Sequence, residues 1–199
     1  SIDYLTHGSI ILDGQQLEKL SNKALSEIRK KDIGFIFQEY NLLHTLTVKE
    51  NIMLPLSVQK LDKKEMNERY QRITQALNIF EISDKYPSDI SGGQRQRTSA
   101  ARAFITYPKI IFADEPTGAL DSKNTRDLLQ RFQKINELYN ATIVMVTHDP
   151  LAASFSERVI MLKDGQVFTE IYQGEDDKNV FHKEILRAQS ILGGMMYEF

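Results

Sequence analysis

Ser91-Gly92-Gly93-Gln94, followed one helix later by Ile110-Ile111-Phe112-Ala113-Asp114-Glu115-Pro116, is the pairing on which the reading of this chain turns. The first stretch is a glycine-rich turn that opens a helix. The second is an apolar strand that ends in two adjacent carboxylates. Glycines let a backbone approach a phosphate, and the free N–H groups of a helix N-terminus favour an anion. Ser91 adds a hydroxyl donor. A strand this apolar is expected to be buried, and in doubly wound sheets ligands gather at the carboxyl ends of the strands. Asp114 is then placed to hold a hard cation through water, and Glu115 to orient an attacking water as general base. Strand alternation is expected to point the two carboxylates in different directions. Each motif alone is weak. Their spacing, with Pro116-Thr117-Gly118-Ala119-Leu120-Asp121 behind them, describes a nucleotide-phosphate site beside a metal-assisted hydrolysis site.

Two further polar residues stand at strand ends. His148 follows Thr142-Ile143-Val144-Met145-Val146-Thr147 and shares a layer with Asp114 if the two strands are neighbours. An imidazole there can bond a γ-phosphate and the group that orients water. Gln38 ends Ile33-Gly34-Phe35-Ile36-Phe37, where an amide can ligate a metal or touch a γ-phosphate. His7, His44 and His182 have no such setting and read as surface residues. Four histidines without cysteine or clustered spacing make no zinc site.

Around these residues the pattern is strand–helix alternation. Gly8 to Gly14 reads as a short strand closed by a turn, and Leu20 to Lys30 as a weak helix. Thr47 to Val58 is helical but interrupted by Pro55. Asp62-Lys63-Lys64-Glu65 has capping-box spacing, with Met66, Tyr70, Ile73 and Leu77 at helical intervals behind it. Leu128, Phe132, Ile135 and Leu138 stripe another helix, and Thr142 to Val146 reads as a buried strand. Val159 to Leu162 and Val167 to Ile171 flank the hairpin signal Asp164-Gly165. Phe181, Ile185, Ala188 and Leu192 form one face of a last helix. The expected fold is α/β, with a mostly parallel sheet covered on both faces by helices. The polar-faced block from Thr47 to Ser83 fits a separate small helical lobe better than a sheet crossover.

Composition bounds the function classes. The 199 residues suit one domain, and 41% hydrophobic with 26% charged residues are ordinary globular values. A net charge of −2 gives no reason to expect nucleic acid or an anionic membrane as a direct partner. The chain has no cysteine, which excludes disulfide and thiolate chemistry, and its apolar runs are too short to span a bilayer.

One motif is absent. No Gly-x-x-x-x-Gly-Lys-[Ser/Thr] occurs, and no glycine is followed by lysine. That loop cradles the β- and γ-phosphates in proteins of this kind. The sequence reads as most of a nucleotide-hydrolysing domain with its phosphate loop and N-terminal strand cut away, expected to bind ATP poorly by itself.

With these residues assembled, the chain resembles the nucleotide-binding subunit of an ATP-binding cassette transporter over essentially its whole length. Gln38 matches that family's Q-loop, Ile90-Ser91-Gly92-Gly93-Gln94 its signature motif, and Ile110 to Asp114 its Walker B strand. Glu115 matches the catalytic glutamate, Gly118-Ala119-Leu120-Asp121 the D-loop, and His148 the switch histidine. Ile90 stands where leucine is commoner. Ile33 to Leu43 and Glu115 to Asp121 resemble the lipoprotein-release and macrolide-export branch, and Phe181 to Gly194 its bacitracin-type peptide-resistance members. Ser1 to Tyr4 resembles the end of the helix that follows the phosphate loop.

The resemblance implies a P-loop NTPase-type domain, with a helical lobe at about 47–105 inserted between core segments 1–46 and 106–199. It implies an ATPase using ATP and Mg2+, with Glu115 and His148 catalytic. Gln38, Ser91, Gly92, Gly93, Gln94 and Asp121 would touch nucleotide, and Asp114 and Gln38 the metal. The partners implied are a second nucleotide-binding subunit, paired head to tail so that the Ser91 turn serves its nucleotide, and a transmembrane permease, with no nucleic acid. The permease would export antimicrobial peptides or lipophilic compounds, with this subunit on the cytoplasmic face of the cell membrane. Two other readings stay open. One is a non-catalytic partner that binds a permease without turnover. The other is half of a chromosome-maintenance or DNA-repair ATPase, which the compact lobe ahead of the signature turn disfavours.

Overall fold

The computed structural model describes residues 5–59 and 61–193. Asp13 and Gly14 both adopt positive φ (50° and 77°) and fold β1 (Ile11–Leu12) back on β2 (Gln15–Gln16), so the segment expected as one strand is a minimal hairpin. Ser21 caps α1 (Asn22–Lys31) by accepting from the Ala24 N–H, and β3 (Ile33–Ile36) follows directly. Thr47 and Glu50 close a capping box on α2 (Val48–Met53), and Pro55 then converts the chain to a 3-10 turn over Leu54–Val58. Asp62 caps α3 (Lys63–Ala76) through the Glu65 N–H. The other half of the expected box is not made, because the Glu65 carboxylate pairs with Arg69 instead.

The second half carries α4 (Gly92–Phe104), β4 (Ile110–Asp114), α5 (Ser122–Tyr139), β5 (Thr142–Val146) and α6 (Pro150–Ala153). The antiparallel pair β6 (Arg158–Lys163) and β7 (Gln166–Tyr172) and the helix α7 (Lys178–Leu192) complete it. The β6–β7 turn is Asp164-Gly165, both at positive φ as the sequence signal requires.

Three strands position the site. β3, β4 and β5 run parallel in that order, in the register Phe35↔Phe112↔Val144 and Ile36↔Ala113↔Met145. Alternation sends Gly34, Ile36, Ile111 and Ala113 into the core, where residues of α4 and α5 join them. Gly34 permits the close approach of α4, since a Cβ there would lie 2.7 Å from the Ala103 carbonyl oxygen. Helix α4 is buried on most sides by Gln96, Thr98, Ser99, Ala100, Ala101, Ala103 and Phe104, so one continuous core unites helices α2 to α5 with the sheet.

Three expectations need correction. The sheet is covered on one face only among the described residues. Phe35, Phe112 and Val144 form an exposed row on the other, and β5 is therefore half exposed rather than buried. The alternation of strands with helices predicts two coverings. On α5 the buried stripe is Thr125, Leu128, Leu129, Phe132 and Ile135, with Tyr139 packed against the core. Leu138 is 69% exposed, because the helical period carries the stripe from 135 to 139 and past it. On α7, Phe181 and Ile185 are buried, with Ala188 and Leu192 half buried as expected. The resemblance drawn at Ser1–Tyr4, and the end of the Phe181–Gly194 resemblance, lie outside the described residues.

Candidate functional site

Strand β4 delivers Asp114 to the carboxyl end of the sheet, in register with Val146. The next residue leaves the strand. Glu115 has φ +42°, a left-handed conformation uncommon for a non-glycine residue, and precedes Pro116, which disfavours ordinary helical geometry. Its N–H donates to the Val146 carbonyl at 2.9 Å, and its carbonyl accepts from the Gly118 N–H at 3.0 Å. The direction of the Glu115 carboxylate is thus set by this backbone reversal.

The reversal aims Glu115 at the end of β5. Its Oε1 accepts the His148 N–H at 2.9 Å and lies 2.6 Å from the His148 Nδ1, while its Oε2 accepts the Thr147 hydroxyl at 3.2 Å. Thr147 Oγ1 in turn accepts the Asp149 N–H at 3.1 Å, and Asp149 caps α6 through the Leu151 N–H. The hydrogen bond to Glu115 holds the His148 imidazole above the usual histidine pKa, and the charges of Glu115 and Asp149 add to it. The ring itself is 85% exposed. The carboxylate is fixed by the Thr147 hydroxyl and the His148 N–H while its imidazole partner faces outward.

Gln38, Glu115, Thr117, Gly118, Thr125 and His148 line one cavity of about 270 Å³. Gln38 reaches it by lying over Gly118, where a Cβ would come within 2.9 Å of its Nε2. The structure therefore brings Gln38, Glu115 and His148 together from three strand ends. Asp114 is exposed beside them, and no hydrogen bond or ion pair among the described residues engages its carboxylate. A carboxylate and an amide oxygen are hard donors suited to a magnesium ion. No cluster of three or more His, Cys, Asp or Glu side chains that could hold a metal lies among the described residues. A divalent ion here would draw most of its ligands from water and phosphate, which is how Mg2+ is commonly bound.

Ser91, Gly92, Gly93 and Gln94 do not line that cavity. Ser91 Oγ accepts the Gln94 N–H at 3.3 Å and the Gln94 Oε1 accepts the Ser91 N–H at 2.9 Å, a capping box that presents the N-terminal turn of α4. Gly93 is buried against Asn124, and Gly92 faces the Tyr40 hydroxyl; a Cβ at either would sit 3.2 or 3.1 Å from those atoms. Asp121 is engaged by α5: it accepts the Lys123 and Asn124 N–H groups and the Asn124 side-chain amide. The Asn124 bonds hold its carboxyl below the usual carboxylate range.

Helix α4 also grips the loop after Gln38. Gln96 donates to the Phe37 carbonyl, and Arg102 donates to the Asn41 and Tyr40 carbonyls at 2.7 and 3.1 Å. Tyr40 and Asn41 are both at positive φ, held there by these bonds. Neither Thr147, which fixes Glu115, nor Arg102 was legible as a site residue. A threonine ahead of a histidine and an arginine inside a helix carry no local signal.

A family model described as ABC transporter matches residues 2–118. The bacitracin export ATP-binding protein BceA of Halalkalibacterium halodurans is 57% identical over 195 residues, covering 98% of this chain and 77% of that protein. The macrolide export ATP-binding/permease protein MacB of Campylobacter jejuni is 40% identical over 195 residues, 96% of this chain and 30% of that protein. Among solved structures, the ATP-binding cassette MJ0796 of Methanocaldococcus jannaschii is a dimer in a post-hydrolysis state bound to ADP and Pi. It superposes with a TM-score of 0.75 at 38% identity, over 86% of this chain and 75% of that one. Sequence and fold agree that the chain belongs to the ABC transporter family, as one of its ATP-binding ATPase domains.

Proposed function

We propose that Glu115 and His148 carry the hydrolytic step. The observation that supports this most directly is the Glu115–His148 contact at 2.6 Å inside a cavity that also receives Gln38. Glu115, fixed by the Thr147 hydroxyl and the His148 N–H, accepts a proton from a water as its oxygen attacks the γ-phosphorus of ATP. The bond from that phosphorus to the ADP oxygen breaks, releasing ADP and phosphate. His148 steadies the γ-phosphate and the carboxylate. Asp114 and Gln38 would hold Mg2+, which would supply charge neutralisation at the phosphates. The α4 turn at Ser91–Gln94 binds the phosphates of a second copy's nucleotide in a head-to-tail dimer, with Asp121 ordering the adjoining α5 terminus. Residues 47–105 form a helical lobe between segments 1–46 and 106–199, and the domain works on a membrane permease at its cytoplasmic face. Relatives named for bacitracin and macrolide export support antimicrobial peptides or lipophilic compounds as cargo.

The two carboxylates separate in a binding and turnover experiment on the intact transporter. Glu115→Gln keeps shape but cannot take the proton, so ATP binding and a closed dimer persist while turnover falls about 100-fold or more. Asp114→Asn weakens Mg-ATP binding instead. Equal loss of binding in both variants would remove the division of roles.

A further inference from the structure

The peptide of His148 is held from two sides. Its N–H donates to Glu115 at 2.9 Å, and its carbonyl accepts the Nε2–H of Gln189, in the last turn of α7, at 3.3 Å. Gln189 is exposed and does not line the cavity with Gln38 and Glu115. It reaches the site only through the backbone of the residue that the mechanism uses.

The rest of α7 gives that single bond a rigid base. Phe181 and Ile185 are fully buried, where the helix packs on α6 and β7. At its other end Lys178 donates to the Gln133 side chain at 2.8 Å and lies 4.7 Å from the Phe155 ring centre. Gln133 donates to the Phe155 carbonyl, also at 2.8 Å. The stretch from His148 through α6 to Phe155 is thus bracketed: Gln189 fixes its first residue, and the Lys178–Gln133 pair fixes its last. The Gln189 bond is the route by which a tilt of α7 would reach the His148 peptide.

We propose that Gln189 is a positioning residue for His148, and that α7 sets the distance between the His148 ring and the Glu115 carboxylate. This rests on the hydrolytic role of that pair. A catalytic group displaced by about 1 Å loses on the order of 100-fold in rate, and a loosened backbone tether costs less, about tenfold. An exposed neutral hydrogen bond adds little to global stability, so the effect belongs to geometry and not to folding.

The test compares Gln189→Met, which keeps length and loses the donor, with Gln189→Lys, which restores one. ATP turnover is measured in the intact transporter, and the His148 imidazole nitrogen shifts by NMR at fixed pH in this chain. Gln189→Met is expected to lower kcat about tenfold at unchanged KM and melting temperature and to move the His148 Nδ1 shift. Gln189→Lys is expected to restore both. Unchanged kcat and shift in Gln189→Met overturn the proposal, and so does a lowered melting temperature that Gln189→Lys fails to recover. His148→Ala is the reference. If it leaves kcat intact the hydrolytic reading fails, while the Nδ1 shift in Gln189→Met still decides whether α7 positions the ring.

Discussion

The Glu115–His148 contact joins a carboxylate fixed by the Thr147 hydroxyl and the His148 N–H to an imidazole open to solvent. Because the hydrogen bond to Glu115 raises the imidazole pKa in the folded chain, the folded state binds that proton more tightly than the unfolded state. The contribution is complete below the ordinary histidine range and is lost as pH rises through the raised folded value. A histidine titration followed by NMR should therefore place the His148 midpoint above the ordinary histidine range. Glu115→Gln removes the charge, so the midpoint should fall toward the ordinary value, and the stabilities of the two proteins should converge at alkaline pH. A midpoint unmoved by Glu115→Gln would mean that the pairing is not populated in solution. At this scale the sequence singles out the candidate residues but not how they are aimed. Glu115 and His148 stand out because each follows an apolar strand. The backbone reversal at Glu115 depends on Pro116 after it and on the Val146 carbonyl across the sheet, a contact between residues distant in the chain.

The loop between β3 and α2 acts as one unit because Asn51 ties it together. Its side chain accepts the Leu43 N–H at 2.8 Å and donates to the carbonyls of Leu43, Leu46 and Thr47, all at 3.0 Å, from a fully buried position. Within this loop the two leucines part company. Leu42 is 8% exposed and belongs to the core, whereas Leu43 is 47% exposed. If the loop docks on a permease, Leu43→Asp should abolish permease co-purification while shifting stability by less than about 0.5 kcal/mol. Leu42→Asp should instead destabilise the chain by about 3 kcal/mol or more, because it buries an unpaired charge. A large fall in melting temperature for Leu43→Asp would make it a packing residue like its neighbour. Elements of this kind were largely legible. Ser21, Thr47, Asp62, Ser91, Asp121, Asp149 and Asp177 each cap the helix that follows, so local chemistry marks most helix starts. The split between Leu42 and Leu43 was not legible. It depends on positive φ at Tyr40 and Asn41, and those angles are held by Arg102 from a helix about 60 residues away.

At the scale of the molecule, the sheet has one packed face and, among the described residues, one open face. Both are apolar. Strand alternation sends Ile36, Ile111 and Ala113 under α4 and α5, and it sends Phe35, Phe112 and Val144 outward in one register row, with Phe37 and Val146 exposed as well. Phe35 stacks on Phe112 with ring centres 5.8 Å apart and on Phe37 at 6.0 Å, so the outward side chains form a joined surface and not scattered exposures. A contiguous apolar surface of this kind drives association, since removing it from water is favourable at about 25 cal/mol per Å². A chain of these 199 residues should therefore self-associate with rising concentration and bind a dye specific for apolar surface. Phe112→Thr with Val144→Thr should suppress both. Threonine keeps strand propensity, and the two positions add little to the core, so stability should change by no more than about 1 kcal/mol. Light scattering, dye fluorescence and thermal melts on the same pair of proteins decide the matter. Association that persists unchanged in the double variant would move its source to another surface, the first to examine being the β6–β7 hairpin with exposed Leu162 and Val167.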